Sequence, residues 1–211
     1  MSEKLIDDLT LQEGVDFLAT VDASLAGVIR RYGMPPLWKR PAGFATLVLI
    51  ILEQQVSLRS ARAAFDRLSA RIGRITADRF LNLNDRELKA IGFSRQKITY
   101  CRGIACSIEN GILDLERLHQ MDTPSVLASL TGLRGVGQWT ARIYLLMALD
   151  RPDVWPAGDL ALRKSFAQLN RLPEIPDDAA MADIAQKWRP WRAVAARILW
   201  HYYLSTPKPQ I

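Results

Sequence analysis

The sequence predicts an all-α protein. Apolar residues recur at helical spacing in nearly every segment, polar capping residues precede most of these segments, and no stretch shows the period-two alternation of a β-strand. The 211 residues suffice for one domain or two small lobes with a hydrophobic core. Because 49% of the residues are hydrophobic, we expect a globular chain and not a disordered one.

The N-terminal quarter of the chain predicts three helices. The Thr10-x-x-Glu13 pattern is that of a capping box and would start the first helix. Asp22 is expected to cap the second helix, and Gly33 to end it. A proline-containing linker at residues 35–41 then leads to an apolar helix at about residues 43–52.

The later helices are predicted from their capping residues. A polar residue or a Thr-Pro pair marks the start of each, at Ser57, Asn84, Ser94, Thr123 and Asp159. The helix at about residues 138–149 is apolar almost all round, which predicts a central, buried position. Two more helices are expected at about residues 181–188 and 195–202. The pattern after Ser94 predicts that Cys101 and Cys106 lie in or near the core.

Charge and composition narrow the functional classes. The net charge of +6 and a pI near 9.6 suit a polyanionic partner but do not prove one. Two cysteines cannot build a disulfide framework, and neither they nor His119 and His201 have zinc spacing. The polar start predicts no signal peptide, and the apolar run at residues 47–52 is much shorter than the ~20 residues that span a bilayer. We expect a soluble protein of a reducing compartment.

The most informative stretch is residues 133–141 (LRGVGQWTA), followed after an apolar helix by residues 155–159 (WPAGD). A Gly-x-Gly hairpin at residues 135–137 that opens a helix exposes backbone N–H groups, and the helix dipole adds partial positive charge, so the place suits a phosphate. The second stretch delivers one carboxylate, Asp159. Together they suggest an enzyme that acts on the DNA backbone or its glycosidic bonds. The alternative is an ordinary corner between two helices with a solvated Asp.

These motifs resemble the helix-hairpin-helix DNA glycosylase superfamily, and within it the 3-methyladenine DNA glycosylase II branch, which repairs alkylation damage. The resemblance spans about residues 44–203 and rests on five collinear segments: residues 53–57, 91–97, 133–141, 151–159, and 188–192 with Leu199-Trp200.

The resemblance implies a two-lobed, all-α fold without the extra N-terminal α/β domain of larger bacterial members. One lobe would be discontinuous, built from both termini as residues 1–56 and 150–211. The other would be continuous, residues 57–149, and would carry the helix-hairpin-helix at about residues 124–149.

Asp159 matches the catalytic aspartate of this family. Breaking an N-glycosidic bond builds positive charge on the sugar, and a fixed carboxylate stabilises that charge and orients or deprotonates the attacking water. The alternative is that Asp159 only caps the helix that follows it. The flanking motif favours catalysis.

Two tryptophans are expected to line the base pocket. Trp139 stands where relatives that also cut the DNA strand have a lysine whose amine attacks the sugar, so the resemblance implies a monofunctional enzyme that leaves an abasic site. Trp200 would attract cationic alkylated purines through its indole face. A core role is the alternative for Trp139. Ile143 and Leu160 replace two other pocket aromatics. Packing roles are expected for the remaining tryptophans of these motifs, Trp155, Trp188 and Trp191.

Gln55 matches the residue that fills the gap in the duplex when the target base is flipped out, a step that costs a few kcal/mol. The alternative is a polar residue in a helix break. Four basic residues are candidate phosphate contacts, although a solvated helix face is the favoured explanation for any one of them; they are Arg59, Arg62, Lys97 and Arg102.

The hairpin is expected to hold the DNA backbone through Gly135, Val136, Gly137 and Thr140. The resemblance also implies a monovalent cation, Na⁺ or K⁺, bound by the main-chain carbonyls of Thr131, Leu133 and Val136. No other metal and no cofactor is expected.

The sequence therefore favours a monofunctional DNA glycosylase that excises alkylated bases from double-stranded DNA. A non-catalytic helix-hairpin-helix DNA-binding module is the alternative from another class, and a bifunctional glycosylase/lyase is a third. We expect a monomer that does not bind membranes and that works at the nucleoid in a bacterial cytoplasm.

Overall fold

The computed structural model describes residues 5–206, and between these residues every regular element is a helix and none is a strand. The all-α prediction is therefore confirmed. The described chain divides into two compact units. The central unit is continuous and comprises residues 40–149, whereas the terminal unit combines the residues up to 39 with those from 150 onward.

The terminal unit packs its first two helices against its last one. Its helices are α1 (Asp8–Val21), α2 (Ala23–Tyr32), α10 (Leu160–Leu169), α11 (Asp178–Ile184) and α12 (Arg192–Ser205), with a 3-10 turn at Ala185–Trp188. α12 contacts α1, α2 and α10. Its residues 193–200 are all buried, which makes α12 the core of this unit.

The central unit is organised around α3. Its helices are α3 (Phe44–Glu53), α4 (Leu58–Ile72), α5 (Ala77–Leu81), α6 (Asp85–Ile91), α7 (Arg95–Glu109), α8 (Thr123–Thr131) and α9 (Gln138–Met147), with a 3-10 turn at Arg117–Gln120. α3 contacts α4, α7 and α9, and most of its side chains are buried. α8 and α9 pack on each other and form the predicted helix-hairpin-helix.

The boundary between the units differs from the predicted one. Residues 40–56 were predicted to belong to the discontinuous lobe, whereas the structure places them in the central unit. The reason is packing: α3 is apolar on most of its surface and is buried by three helices of that unit. In addition, the Arg40 N–H donates to the Met147 carbonyl at 2.8 Å, which ties the start of this segment to the end of α9.

Most predicted caps are present, but the first is misplaced. Asp22 caps α2 and Gly33 ends it, as expected. The first helix begins one turn before the predicted start, because Asp7 is its cap and Thr10 is the buried third residue of the resulting capping box. Both residues are good caps, so the sequence pattern was ambiguous.

Two further details depart from the prediction. Cys101 is buried, but Cys106 is exposed on the opposite side of α7. The short α5 was not predicted, because five residues are too few to show helical periodicity and its start at Thr76 has no side-chain cap. No described helix is long and apolar enough to cross a membrane.

Candidate active site

Asp159 is the N-cap of α10. Its Oδ1 accepts the backbone N–H of Leu162 at 3.1 Å, and the side chain is half-buried. Gly158 before it has φ 88°, which favours glycine, and donates its N–H to Asp178 Oδ1 at 3.2 Å. The carboxylate is thus held in one place, at the start of α10.

The loop that delivers Asp159 is fixed to the start of α12. Asp153 in this loop forms a bidentate pair with Arg192, with N–O distances of 2.7 and 3.1 Å. Arg189 lies 3.1 Å from the same carboxylate. The Ala193 N–H donates to the Pro152 carbonyl at 2.9 Å. These contacts restrict the loop and therefore the position of the carboxylate that follows it.

An aromatic cluster also fixes the loop that precedes Asp159. The Trp155 ring lies 5.4 Å from the ring of Trp188, which is fully buried and donates its indole N–H to Asp22 Oδ2 at 2.9 Å. Burial raises the pKa of Asp22, but hydrogen bonds from Ser24, Lys187 and Trp188 outweigh this effect, so the pKa lies below its ordinary value. The packing roles predicted for Trp155 and Trp188 are confirmed.

Trp191 also has the predicted packing role. It lies against α1 at Gly14, where an added Cβ would come within 2.9 Å of its ring. α1 and the start of α12 therefore approach closely only because Gly14 has no side chain.

Trp200 in α12 is 9% exposed and pairs with Trp38, an aromatic residue that the sequence analysis missed. The two ring centroids are 6.4 Å apart at an interplanar angle of 77°, an edge-to-face arrangement. Trp38 is half-buried and has φ 46°, a left-handed conformation that costs an L-residue about 1–2 kcal/mol. The sequence shows a tryptophan at position 38, but local patterns do not reveal that its partner is Trp200, which lies 162 positions away.

Contacts on both sides of Trp38 hold it in that conformation. The buried guanidinium of Arg197 donates from Nε to the Leu37 carbonyl at 2.8 Å, and Lys39 Nζ lies 2.6 Å from Asp150 Oδ2. Burial lowers the pKa of Arg197 to about 10, so the side chain stays charged at neutral pH. The terminal unit thus holds a Trp38–Trp200 pair that the local sequence does not reveal.

The remaining predicted pocket residues have different surroundings. Trp139 lies in the first turn of α9 and is half-buried, and Ile143, one turn later, is 2% exposed. Leu160, directly after Asp159, is 51% exposed. A large apolar side chain is therefore accessible next to the candidate catalytic carboxylate.

The hairpin presents an accessible helix start. Gly137 is the N-cap of α9, has no side-chain cap, and an added Cβ there would have nothing within 4 Å. Gly135 has φ 91°, and an added Cβ would overlap the Tyr100 ring at 2.1–2.6 Å. Val136 between them is buried. Gly135 therefore allows tight packing against Tyr100, and Gly137 leaves the first N–H groups of α9 accessible to a ligand.

The structure does not fit the predicted phosphate contact of Thr140. Its side chain is buried, and its hydroxyl accepts an amide hydrogen from Gln54 Nε2 at 2.9 Å. The same amide nitrogen donates to the Gly135 carbonyl at 3.0 Å. Thr140 therefore stabilises the hairpin from inside, and Gly135, Val136 and Gly137 stay as the predicted backbone-binding residues.

Gln55 is exposed and has φ 57°, so a non-glycine residue occupies the left-handed region at the break between α3 and α4. Such a conformation is uncommon and costs about 1–2 kcal/mol. Ser57 caps α4 two residues later, by accepting the Ser60 N–H. The exposed, strained position agrees with the predicted role of Gln55 as the residue that enters the duplex, which stays a prediction.

Two of the candidate phosphate contacts are engaged within the protein. Lys97 Nζ donates to the Leu52 carbonyl at 2.7 Å and to the Gln54 carbonyl at 2.9 Å, and burial lowers the pKa of this lysine. Arg102 donates to Asp85 and to the Leu83 carbonyl. Both side chains therefore donate to groups of the protein and do not fit the predicted phosphate contact. Arg59 and Arg62 are exposed.

Three residues predicted to bind a monovalent cation line a single cleft of about 490 Å³. They are Thr131, Leu133 and Val136, and the cleft also contains Gln54, Gln55 and Lys97. The Leu133 carbonyl already accepts the Val136 N–H at 3.1 Å, and its second lone pair is the one that a cation would use. The cation site stays a prediction. No cluster of histidine, cysteine or acidic side chains suited to a metal occurs between residues 5 and 206.

The predicted residues thus form two sets. Asp159 and Trp200 belong to the terminal unit, whereas Gln55, Trp139 and the hairpin belong to the central unit. Each set can be described by its own geometry: a fixed carboxylate and an aromatic pair in one, and a helix start without a side-chain cap and a strained, exposed glutamine in the other.

Known proteins share both sequence and fold with this chain. A family model described as "HhH-GPD superfamily base excision DNA repair protein" matches residues 48–190. DNA-3-methyladenine glycosylase 1 of Schizosaccharomyces pombe is 29% identical over 161 residues, which are 74% of this chain and 71% of that protein. The putative DNA-3-methyladenine glycosylase YfjP of Bacillus subtilis is 24% identical over 185 residues, which are 84% of this chain and 64% of YfjP, so the chain covers less than two thirds of that relative.

Two solved structures have the same fold. The S. pombe 3-methyladenine DNA glycosylase Mag1 in complex with abasic DNA superposes with a TM-score of 0.81 at 26% identity, covering 89% of this chain and 95% of Mag1. The DNA-3-methyladenine glycosidase of Bacillus halodurans gives a TM-score of 0.79 at 28% identity, covering 97% of this chain and 94% of that one.

Proposed function

Because the chain belongs to the HhH-GPD superfamily of base excision DNA repair proteins, we propose that it is a monofunctional DNA glycosylase that excises alkylated bases. The substrates are bases of the 3-methyladenine and 7-methylguanine type in double-stranded DNA, and the product is an abasic site. The observation that carries the proposal is Asp159, a half-buried carboxylate held at the start of α10 by its own cap bond and by a restricted loop.

The reaction is hydrolysis of the bond between C1′ of deoxyribose and the base nitrogen. As this bond breaks, its electron pair leaves with the base, and positive charge develops on the sugar. Asp159 stabilises that charge as an anion. Water adds its oxygen to C1′, and its proton passes to Asp159 and then to solvent. An alkylated purine that carries a positive charge leaves as a neutral base, so no acid is needed to protonate it.

Trp139 makes the enzyme monofunctional. A second activity that cuts the strand needs an uncharged amine able to attack C1′. In the family pattern that amine stands at the position of Trp139, and an indole cannot form a Schiff base. The bifunctional alternative is therefore disfavoured.

Trp200 and Trp38 account for the preference for cationic bases. An indole face attracts a positive ring, with a gain of about 0.5–2 kcal/mol that rises as water is excluded. The exposed Leu160 beside Asp159 adds apolar surface. Neutral, undamaged purines gain less binding energy from such a site. Their glycosidic bonds are not weakened by alkylation, so breaking them needs more transition-state stabilisation than a single carboxylate gives.

The central unit supplies DNA binding. The N–H groups at the start of α9, around Gly137, bind a phosphate, and Gln55 fills the space that the flipped base vacates. The relative Mag1 is seen in complex with abasic DNA, the kind of product that this reaction leaves. We also propose that the enzyme acts as a monomer in a bacterial cytoplasm, with DNA as its partner.

A panel of duplex oligonucleotides tests the proposed function. Each duplex carries one lesion, 7-methylguanine, 1,N6-ethenoadenine or hypoxanthine, and a duplex treated with a methylating agent supplies 3-methyladenine. Base release is measured under single-turnover conditions, with alkali used to cut the strand at abasic sites. We expect release of the cationic lesions and an alkali-dependent break.

The matched control is Asp159→Asn, which keeps the shape of the side chain and removes its charge. A non-catalytic DNA-binding module would bind every duplex and release no base, and the wild type and the Asn variant would then behave alike. That result contradicts the proposal. Analytical ultracentrifugation of the protein with and without a duplex tests the monomer.

A further inference from the structure

Gln54, directly before the exposed Gln55, connects the break after α3 to the hairpin. Its side-chain amide uses both hydrogens, one donated to the Gly135 carbonyl at 3.0 Å and one to the Thr140 hydroxyl at 2.9 Å. The two acceptors lie 81 and 86 positions further along the chain. One acceptor is part of the hairpin, and the other is buried in the first turn of α9.

Lys97 fixes the backbone of the same break. Its ammonium donates to the Leu52 and Gln54 carbonyls, two of the last carbonyl groups of α3 that no helical N–H can satisfy. A cation at a helix C-terminus is also favoured by the dipole. Gln54 is thus held twice, by its side chain on the hairpin and by its carbonyl on α7.

These contacts define the position of Gln55. Its φ of 57° is not maintained by local preference, because a glutamine avoids the left-handed region. It is maintained by the restraints on its predecessor and by the cap of α4 at Ser57. The exposed tip therefore stays at a set distance from the start of α9 at Gly137, within the central unit.

We propose that Gln54 and Lys97 are positioning residues that lock Gln55 to the hairpin. The Gln55 side chain that fills the duplex and the N–H groups of α9 that hold the phosphate then stay at a fixed distance from each other. This inference rests on the proposed function. Flipping a base opens a gap at a fixed distance from the phosphates beside it. A filler that is rigidly joined to the phosphate anchor meets the gap without an extra ordering cost when DNA binds.

The experiment compares paired and unpaired lesions. Gln54→Met keeps the length and volume of the side chain and removes both donors, and Lys97→Met does the same for the ammonium. We expect single-turnover excision from a normally paired lesion to fall about tenfold, the effect of losing hydrogen bonds worth about 1–2 kcal/mol. Excision of the same lesion opposite an abasic site should fall less than about threefold, because an unpaired base needs little help to leave the stack.

Three controls separate positioning from general damage. Gln12→Met has the same chemistry at an exposed amide of α1 that donates to Asp16, and should change neither rate. Lys97→Arg keeps a donor and should recover most of the paired rate. Gln55→Ala should show the same paired-lesion defect, and adding Gln54→Met to it should cause no further loss, because Gln54 acts through Gln55.

A second readout does not depend on base release. 2-Aminopurine opposite the lesion reports by its fluorescence whether the stack is disturbed on binding. The wild type should raise the fluorescence at saturating protein, and Gln54→Met and Lys97→Met should raise it less, at a temperature at which both variants are fully folded by differential scanning fluorimetry. If one of these variants does not fold, the other carries the test.

Several results would overturn the inference. Equal losses on paired and unpaired lesions would make Gln54 and Lys97 merely structural. A Lys97→Met variant with weaker binding, a salt slope smaller by about one and an unchanged ratio of paired to unpaired rates would make Lys97 a phosphate contact. A wild type that releases no base but gives the expected fluorescence response would contradict the proposed function. The positioning role of Gln54 and Lys97 would then be decided by the fluorescence of the variants. A wild type that does neither contradicts both.

Discussion

The two glycines of the hairpin give a matched pair of substitutions with opposite expected effects. At Gly135 an alanine Cβ would lie 2.1–2.6 Å from three atoms of the Tyr100 ring, and φ is 91°. The left-handed backbone costs about 1–2 kcal/mol, and displacing the ring adds the usual 1–3 kcal/mol or so of overpacking. The sum is about 3 kcal/mol, which for a chain of this size lowers the melting temperature by roughly 6–12 °C.

Gly137 is expected to respond in the other way. Its φ is −80° and nothing lies within 4 Å of an added Cβ, so Gly137→Val should leave the melting temperature nearly unchanged. The branched side chain would instead stand where a phosphate approaches the N–H groups of α9. Loss of one charge-assisted hydrogen bond, worth about 1.5–3 kcal/mol, weakens binding to undamaged duplex roughly 10- to 100-fold.

Differential scanning fluorimetry and a salt titration of DNA affinity check the pair. Gly135→Ala should lower the melting temperature, and Gly137→Val should lower affinity and the slope of log affinity against log salt. An unchanged melting temperature for Gly135→Ala would refute the packing argument. Unchanged affinity and slope for Gly137→Val would show that the hairpin does not hold the phosphate.

Three further predictions concern chemistry and pH. Asp159→Asn should lower single-turnover base release about a hundredfold or more while sparing DNA binding. A rate within about threefold of the wild type would contradict the catalytic role, because a threefold change corresponds to less free energy than a shift of one pKa unit. Borohydride should trap no covalent enzyme–DNA adduct, because Trp139 has no amine; an adduct at lesions that disappears in Lys164→Ala, the exposed lysine nearest to Asp159 in sequence, would overturn the monofunctional assignment. The pKa of Asp22 is lowered in the folded state, so its contribution to stability is complete above the unfolded pKa of about 3.9 and is lost as pH falls through the folded pKa. Denaturant titrations from pH 7 to 2 should therefore show a smaller acid-induced loss of stability in Asp22→Asn than in the wild type.

Local patterns predicted the helices well, because the groups that start and end a helix are neighbours in sequence. Asn84 with Glu87, and Ser94, cap α6 and α7 as their types and spacing indicate. The predicted start of α1 at Thr10 was wrong for a local reason as well: Asp7 is an equally good cap, and the sequence does not rank the two.

Long-range contacts could not be predicted from local patterns. Lys97 was a candidate phosphate contact with a solvated helix face as the favoured alternative, yet its ammonium binds carbonyls 43 and 45 positions earlier. Thr140 was assigned to DNA because its hydroxyl lies at the start of the helix after the hairpin, but the side chain is buried and its hydroxyl accepts from an amide 86 positions away. The side chains that shape the candidate site are thus the ones whose partners are distant in sequence.

The discontinuous terminal unit affects how the chain folds during synthesis. The core of this unit cannot close until α12 has been made, because α1 and α2 both pack on it. The central unit is continuous and can fold earlier. At about 5–20 residues per second, the stretch from residue 150 to residue 206 takes roughly 3–12 seconds to translate. During that interval the faces of α1 and α2 that pack on α12 are still open to chaperones and to other nascent chains, so slower translation of the last helices lengthens the time for which the chain is prone to aggregate.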